Sequence, residues 1–293
     1  MGPPSSGGIA LVQLLKSVEE HPVEEMGFNS AATVHLMVEA ERRVYADRAA
    51  YLGDPDYFRV PIQKLIDDLY VKGRMRDFTK KEATPSSKIR EGIIEIAESR
   101  ETTHLSVIDK YGNAVAVTTT LNDSYGSGVM VAGSGFLLND EMDDFSIKPG
   151  QPNMYGVIGG EANKIEPGKR MLSSMTPTIV ERDGNLFMVV GTPGGSTIMT
   201  SVFQTILNVV EHKMTMQEAV SAKRFHSQWY PDVIFPENNA LLADDSLRLV
   251  KMGHKFDPGY LDGIGRVDAI LIRADKKLEG GADPRGDDTA VGF

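Results

Sequence analysis

Two stretches of the sequence share one pattern: a short apolar strand, a turn that carries a Gly-Asn pair, and a returning apolar strand. The first covers residues 105–118 and the second residues 178–190, and they align on their Gly-Asn pairs at 112–113 and 184–185. Strand-like runs joined by a short glycine-containing turn predict β-hairpins. A looser third copy lies at residues 270–278. The repeat therefore predicts that much of the chain forms antiparallel β-sheet.

Helical patterns surround these hairpins. One helix is predicted near the start of the chain, and a second, capped by Asn29 or Ser30, carries one apolar stripe over residues 34–52 at about 100° per residue. Shorter helices are predicted over residues 61–70, 196–210 and 216–223. Hairpins together with long helices predict an α+β fold in which two antiparallel sheets pack between helical layers, an αββα sandwich. Residues 1–101, which are helical and end in a flexible linker, and residues 102–293 are expected to form one structural domain.

Charge and composition exclude several classes of protein. The net charge of −10 opposes the basic face that nucleic-acid binding requires. The one basic stretch, residues 72–90, is predicted to be a solvated linker. The absence of cysteine excludes a disulfide framework, a thiolate zinc site and a cysteine nucleophile. The six histidines are scattered, so neither a metal nor a cofactor is predicted, and no apolar run approaches the roughly 20 residues of a membrane span.

The clearest chemical feature is the turn at residues 191–196 (GTPGGS), between a strand and a predicted helix. A glycine turn at a helix N-terminus presents free backbone N–H groups to an anion or to a developing oxyanion. An ordinary tight turn is the alternative. The lysine and the spacing of a phosphate-binding loop are missing, which disfavours a phosphate-binding module.

A second feature is the pair of threonines, Thr102 and Thr103, that opens the first hairpin. Threonines before a strand normally reflect only β-propensity. A break between Glu101 and Thr102 would give Thr102 a free α-amine, whose pKa of about 8 suits a general base for its own hydroxyl. The acidic run at residues 139–144 is either a solvated loop or a holder for a ligand's ammonium group.

These features occur together with a series of longer motifs. They are residues 3–8 (PPSSGG), 45–48 (YADR), 51–56 (YLGDPD), 102–104 (TTH), 138–145 (LNDEMDDF), 172–175 (LSSM), 191–196 (GTPGGS) and 283–285 (DPR). In this order, and over nearly the whole chain, they resemble the γ-glutamyltransferases, or γ-glutamyltranspeptidases. The resemblance implies an N-terminal-nucleophile hydrolase fold, made as a proenzyme that cleaves itself.

The resemblance also implies roles for individual residues. Cleavage between Glu101 and Thr102 would release Thr102 as the catalytic nucleophile, with Thr120 hydrogen-bonded to it. The backbone N–H groups of Gly194 and Gly195 would form the oxyanion hole. The implied substrate-binding residues are Asn122, Glu141 and Asp144 for the α-amino group, Ser173 and Ser174 for the α-carboxylate, and Tyr155 in a lid loop.

The activity implied in this way is γ-glutamyl transfer to an amino acid or peptide, or to water, with glutathione as the typical donor and no cofactor. The two pieces are expected to stay associated after cleavage, and the family's location is periplasmic or secreted. The arginine that binds the α-carboxylate in the family precedes the segment matched by Pro3, so the sandwich is expected to be incomplete at its N-terminus. The alternatives are an unprocessed, inactive fragment, and a related acylase or poly-γ-glutamate-processing enzyme.

Overall fold

The protein is described by a computed structural model that covers residues 1–92, 103–151, 158–257 and 263–292. Its helices are α1 (Gly7–Val18), α2 (Val23–Met26), α3 (Ala31–Tyr51), α4 (Ile62–Leu65), α5 (Asp68–Arg74), α6 (Thr197–Val210), α7 (Met216–Ser221) and α8 (Ala243–Met252). Its strands are β1 (Thr103–Ile108), β2 (Ala114–Thr119), β3 (Thr178–Arg182), β4 (Asn185–Gly191), β5 (Phe225–His226), β6 (Phe235–Pro236), β7 (Asp268–Ile272) and β8 (Leu278–Gly281). Helices and antiparallel strands both contribute, as the α+β prediction requires.

All three predicted hairpins are present. Strands β1 and β2 pair antiparallel around the first Gly-Asn turn, and β3 and β4 pair around the second. Strands β7 and β8 form the third hairpin and join the second in a four-stranded antiparallel sheet of order β3-β4-β7-β8. The short strands β5 and β6 pair separately. The local pattern of the sequence therefore predicted these strands correctly.

The hairpin β1–β2 lies face to face with the four-stranded sheet, mainly over β4 and β7. Its inward side chains include His104 and Ser106, and the Ser106 hydroxyl donates to the backbone oxygen of Asp268 on β7 at 3.3 Å. Helices α6 and α7 pack on the four-stranded sheet, and α1 packs on α6 and α3. The outward side chains Leu105 and Val115 are at least half exposed. The described residues thus form a partial αββα sandwich.

Helix α3 is the best-buried element. A side-chain hydroxyl cap on Ser30 starts it, as predicted. The predicted single apolar stripe is wrong, because 19 of its 21 residues are buried, including six charged residues between 39 and 48. Charged groups are tolerated in an interior only where they are paired and hydrogen-bonded. The partners of these groups therefore fix how the neighbouring segments pack on α3.

The basic stretch at residues 72–90 differs from the solvated linker that its composition indicates. The Glu39 carboxylate accepts from the backbone N–H of Thr84 at 2.8 Å, and Arg43 donates to Asp77 at 2.7 Å. Farther along, Ser86 contacts Asp232. Buried charges of α3 thus hold this stretch in place. Residues 93–101, between it and the predicted cleavage site, lie outside the described residues.

Asp47 of α3 joins four segments. Its carboxylate accepts hydrogen bonds from Gln13 of α1 at 3.2 Å, and from Tyr70 and Arg74 of α5, both at 3.0 Å. It also accepts from the backbone N–H of Gly92 at 2.9 Å. Burial raises the pKa of this carboxyl, whereas Arg74 lowers it.

Two helical details differ from the predictions. The single helix expected over residues 61–70 is divided into α4 and α5, because the Asp67 side chain accepts from the backbone N–H of Tyr70 and starts a new helix there. Helices α2 and α8 were not predicted. No helix in the described ranges has both the length and the apolar character needed to cross a bilayer.

We expect Asp47→Ala to lower the free energy of unfolding by about 3–5 kcal/mol, because it leaves Arg74 without its buried partner and removes the acceptor of three other donors. Urea unfolding of the purified chain measures this. The matched control is Asp68→Ala, which removes a surface ion pair with Lys16 and should cause a much smaller change. Equal losses in the two variants would contradict the structural role of Asp47.

Candidate active site

The turn at residues 191–196 connects the end of β4 to the start of α6. Gly194 and Gly195 have positive φ angles of 132° and 60°. Their carbonyl oxygens accept from the backbone N–H groups of Thr197 and Ile198, both at 3.1 Å. Their own N–H groups donate to no acceptor within the described part of the chain. The turn therefore offers two adjacent donors at a helix N-terminus, the arrangement that stabilises an oxyanion.

Packing around the turn requires glycine. A Cβ atom on Gly194 would lie 2.6 Å from the Thr197 hydroxyl and 3.0 Å from the Cα atom of Gly265. A Cβ atom on Gly191 would lie 2.2 Å from the ring of His104. Because His104 belongs to β1, this contact brings the start of the first hairpin onto the strand that leads into the turn.

His104 is a buried neutral side chain. Its Nδ1 lies 2.9 Å from the hydroxyl of Thr118, and its Nε2 lies 3.0 Å from that of Ser106. Burial lowers the pKa of the imidazole to about 4, so the ring is uncharged at neutral pH. His104 thus spaces the two sheets. Apart from its place in the TTH motif, nothing in the sequence predicted this packing role.

The predicted nucleophile Thr102 lies outside the described residues, as do Glu101 and Tyr155. The next residue, Thr103, begins β1 and pairs with Thr119 of β2. Thr120 follows Thr119 directly, and its hydroxyl accepts from the backbone N–H of Asn122 at 2.8 Å. The chain on the C-terminal side of the predicted cleavage site is therefore fixed beside the segment that carries Thr120.

The three predicted amine-binding residues belong to one connected region. The buried Asn122 donates from Nδ2 to the backbone oxygen of Asp140 at 3.3 Å, and its Oδ1 has no hydrogen-bond partner among the described residues. Asp140 precedes Glu141, which hydrogen-bonds to the buried Asp144. Burial raises the pKa of Glu141 to about 7, with a further increase from Asp140. A buried unpaired acceptor beside two carboxyl groups suits a cation with several N–H donors.

A residue that the sequence did not single out, Asn163, connects this region to the predicted serines. Its Nδ2 donates to the backbone oxygen of Asp144 at 2.6 Å, and its Oδ1 accepts from the backbone N–H of Leu172 at 2.9 Å. Asn163 is fully buried. It therefore holds the acidic run next to the segment that leads into Ser173 and Ser174.

The two serines are buried, and their hydroxyls are already engaged. The Ser174 hydroxyl accepts from Nη2 of Arg48 at 2.8 Å. The Ser173 hydroxyl accepts from the backbone N–H of Met175 at 2.9 Å and lies 3.3 Å from that of Ser5. The guanidinium of Arg48 also donates to Ser6 at 2.8 Å. A positive charge thus lies directly behind the predicted carboxylate site.

Helix α3 connects the serines to the glycine turn. One turn before Arg48, the hydroxyl of Tyr45 donates to the backbone oxygen of Ser196. The turn and the serines are therefore positioned by the same helix, while Asn163 connects the serines to the acidic run. In the parts of the chain that the structure covers, no three His, Asp or Glu side chains form a group that could hold a metal ion.

Sequence comparisons match the whole chain to one family. The family model described as gamma-glutamyltranspeptidase matches residues 1–293. The glutathione hydrolase proenzyme of Escherichia coli K12 is 46% identical over 295 residues, and that of Pseudomonas aeruginosa is 49% identical over 288 residues. These alignments include 100% and 97% of this chain, but 50% of each relative. The chain thus spans about half the length of these curated relatives.

Structural comparisons agree. A gamma-glutamyltranspeptidase from Pseudomonas nitroreducens, complexed with L-DON, matches with a TM-score of 0.62 and 50% identity over 66% of this chain and 100% of that chain. A cephalosporin acylase from Bacillus halodurans matches with a TM-score of 0.83 and 22% identity over 99% of this chain and 49% of that chain. The second match shows a shared fold alone.

The lowered pKa of His104 predicts how the stability of the folded chain changes with pH. The ring titrates near 6.5 when unfolded and near 4 when folded, so the unfolded chain takes up the proton first as the pH falls. The stabilisation from the neutral ring is complete above pH 6.5 and is lost towards pH 4, by at most about 3 kcal/mol.

Urea unfolding between pH 4 and pH 8 tests this in His104→Gln, which should show a shallower loss of stability in acid than the unmodified chain. His212→Gln, which removes a partly exposed ring, is the control and should change the slope less. Parallel pH profiles for His104→Gln and the unmodified chain would contradict the assignment.

Proposed function

The chain belongs to the gamma-glutamyltranspeptidase family, and we propose that it carries the nucleophile for γ-glutamyl transfer and hydrolysis, with Thr102 released by self-cleavage. One observation carries the proposal: strand β1, which begins one residue after Thr102, packs through His104 against the strand that leads into the Gly194–Gly195 turn. A nucleophile at the start of β1 and two free amide donors at the turn are the two components that acyl transfer needs.

The extent of the structural match supports the cleavage position. The residues from Thr102 to the end of the sequence number 192 of 293, or about 66%. The solved gamma-glutamyltranspeptidase chain from Pseudomonas nitroreducens covers the same share of this chain and is itself covered completely. Cleavage before Thr102 would produce a C-terminal piece that covers the same share of this chain as the solved relative does.

Self-cleavage follows from the chemistry of threonine. Before cleavage the Thr102 nitrogen is an amide, which is not basic. Its hydroxyl attacks the Glu101 carbonyl carbon, the C–N bond breaks as the nitrogen takes up a proton, and an ester remains. The α-amine is free from this point. Water then hydrolyses the ester, which frees the α-carboxylate of Glu101 and the Thr102 hydroxyl. That amine can serve as general base in the later reaction.

Turnover uses the same groups. The Thr102 hydroxyl gives its proton to the α-amine and attacks the γ-carbonyl carbon of the donor, and Gly194 and Gly195 stabilise the oxyanion. The proton passes to the leaving amine as the C–N bond breaks, which leaves a γ-glutamyl ester. Water or an acceptor amine then resolves the ester. Thr120, which directly follows the residue that pairs with Thr103 at the start of β1, supports the nucleophile.

Donor recognition divides between the two connected regions. Asn122, Glu141 and Asp144 would hold the α-ammonium group, and Ser173 and Ser174 the α-carboxylate. Arg48 behind Ser174 favours a negative ligand there. Tyr155 is proposed to cover the site. Glutathione is the proposed donor, because the curated relatives are named glutathione hydrolase proenzymes, and the two cleavage pieces are proposed to remain associated.

Self-cleavage is tested on a denaturing gel after expression and incubation. We expect the chain of 32.0 kDa to give pieces of about 11 and 21 kDa, in proportion to their lengths. Thr102→Ala should abolish cleavage because it removes the attacking hydroxyl. Thr103→Ala, the neighbouring threonine, is the matched control and should still cleave. A single uncleaved band from the unmodified chain would refute self-processing by this chain.

The amine site is tested by comparing two chromogenic amides, γ-glutamyl and glutaryl, of which only the first has an α-ammonium group. Asp144→Asn should raise the KM for the γ-glutamyl amide about 10- to 100-fold, because a charge-assisted hydrogen bond is lost. Its effect on the glutaryl amide should be small.

Asp123→Asn, an exposed carboxylate on the same loop, is the control and should affect neither amide. Equal losses on both amides in Asp144→Asn would contradict amine recognition and favour the acylase alternative. That alternative has some support, since an acylase ACY 1 proenzyme from Pseudomonas is 34% identical over 99% of this chain.

A further inference from the structure

The hydroxyl of Ser196, the last residue of the glycine turn, makes an unusual hydrogen bond for its position. Serine at a helix N-cap normally accepts a hydrogen bond from a backbone N–H of the first turn. Ser196 occupies the N-cap of α6, but its side chain makes no such bond. Instead it donates to Oε1 of Gln228 at 2.6 Å. The residue is fully buried, so its side chain anchors the turn from the protein interior.

Ser196 and Gln228 belong to a buried group of polar side chains that includes His226 of β5. Nε2 of His226 lies 2.8 Å from the same Gln228 oxygen and 3.3 Å from the Ser196 hydroxyl. Nδ1 of His226 lies 2.9 Å from the hydroxyl of Thr200 on α6. An amide oxygen only accepts, so His226 donates from Nε2. Its Nδ1 faces the Thr200 hydroxyl, which also lies 3.1 Å from the backbone oxygen of Thr197. These side chains have no part in the proposed chemistry.

Further contacts hold the two ends of the turn. Tyr45 donates to the backbone oxygen of Ser196. At the opposite end, the Thr192 hydroxyl donates to the backbone oxygen of Pro193 at 2.6 Å and accepts from the backbone N–H of Arg266 at 2.7 Å. Gly194 and Gly195 lie between these supports, and their N–H groups, unlike their carbonyl oxygens, make no hydrogen bond among the described residues. Glycine is the most flexible residue, so their N–H directions depend on the supports.

We propose that Ser196 is a positioning residue: through Gln228 and His226 it fixes the N–H groups of Gly194 and Gly195 in the orientation that an oxyanion requires. The inference rests on the proposed function. Preorganised donors act on the charge that develops in the transition state, so their loss lowers kcat more than it raises KM.

Turnover of a γ-glutamyl amide provides the first test. Ser196→Ala and Gln228→Leu should each lower kcat about 10- to 100-fold and change KM less than about threefold. The double variant should be no slower than the slower single variant, because both substitutions break one connection. The matched control is Thr205→Ala, which removes a buried α6 hydroxyl that donates to the backbone oxygen of Ser201 at 2.8 Å. It should keep kcat within about twofold.

Hydrogen exchange provides a second test that does not depend on turnover. The N–H groups of Thr197 and Ile198 close the turn, and NMR can follow their exchange with D₂O. Exchange at both should be at least about tenfold faster in Ser196→Ala and Gln228→Leu, relative to residues late in α6, and unchanged in Thr205→Ala.

The outcomes separate the two proposals. If the unmodified chain neither cleaves nor turns over, the proposed function fails for this chain, and hydrogen exchange alone decides the role of Ser196. Unchanged exchange at Thr197 and Ile198 in both variants overturns the positioning role. With an active chain, the same conclusion follows from an unchanged kcat, from additive losses in the double variant, or from an equal loss in Thr205→Ala.

Discussion

Burial of charge on helix α3 is the constraint on which the rest of the structure depends. A carboxylate or guanidinium in the interior needs partners on every side, because an unpaired one costs several kcal/mol. Glu39 and Asp47 accept hydrogen bonds from backbone N–H groups in the segment before the predicted cleavage site. Arg48 donates to Ser6 and Ser174. These bonds are directional, so they determine positions as well as proximity. The helix thus acts as the common reference for segments far apart in sequence.

The same helix also positions two separate parts of the proposed site. Gly194 and Gly195 are flexible by nature, but Tyr45 holds the residue that follows them. Arg48, one helical turn later, holds a serine of the proposed carboxylate site. The separation between the oxyanion turn and the carboxylate site therefore depends on a rigid helical turn rather than on a loop. A donor molecule that contacts both would meet groups whose spacing is already set.

The sequence predicted those parts of the fold whose signal is local. The hairpins follow from alternation and Gly-Asn turns within about 15 residues, and the start of α3 follows from Ser30. The burial of α3 was missed, because periodicity reports which side chains are apolar and not which charged ones have partners. The packing of His104 on Gly191 and the bridge through Asn163 also join segments far apart in sequence. The glycine turn was visible locally, and the acidic run suggested an ammonium site as one of two alternatives, whereas the roles of the individual residues came only from family resemblance.

The electrostatics of the acidic run make its proposed role more specific. A carboxyl group with a pKa of about 7, as in Glu141, carries its proton about half of the time near neutral pH. An ammonium ligand favours the ionised form, so binding is linked to release of that proton. The unpaired oxygen of the buried Asn122 adds an acceptor that does not titrate. A bound cation would interact favourably with both the Asn122 oxygen and the negative charge of Glu141. An anion would be repelled by both. The proposed binding of an ammonium group at Asn122 and the acidic run therefore does not require Glu141 to be fully ionised beforehand.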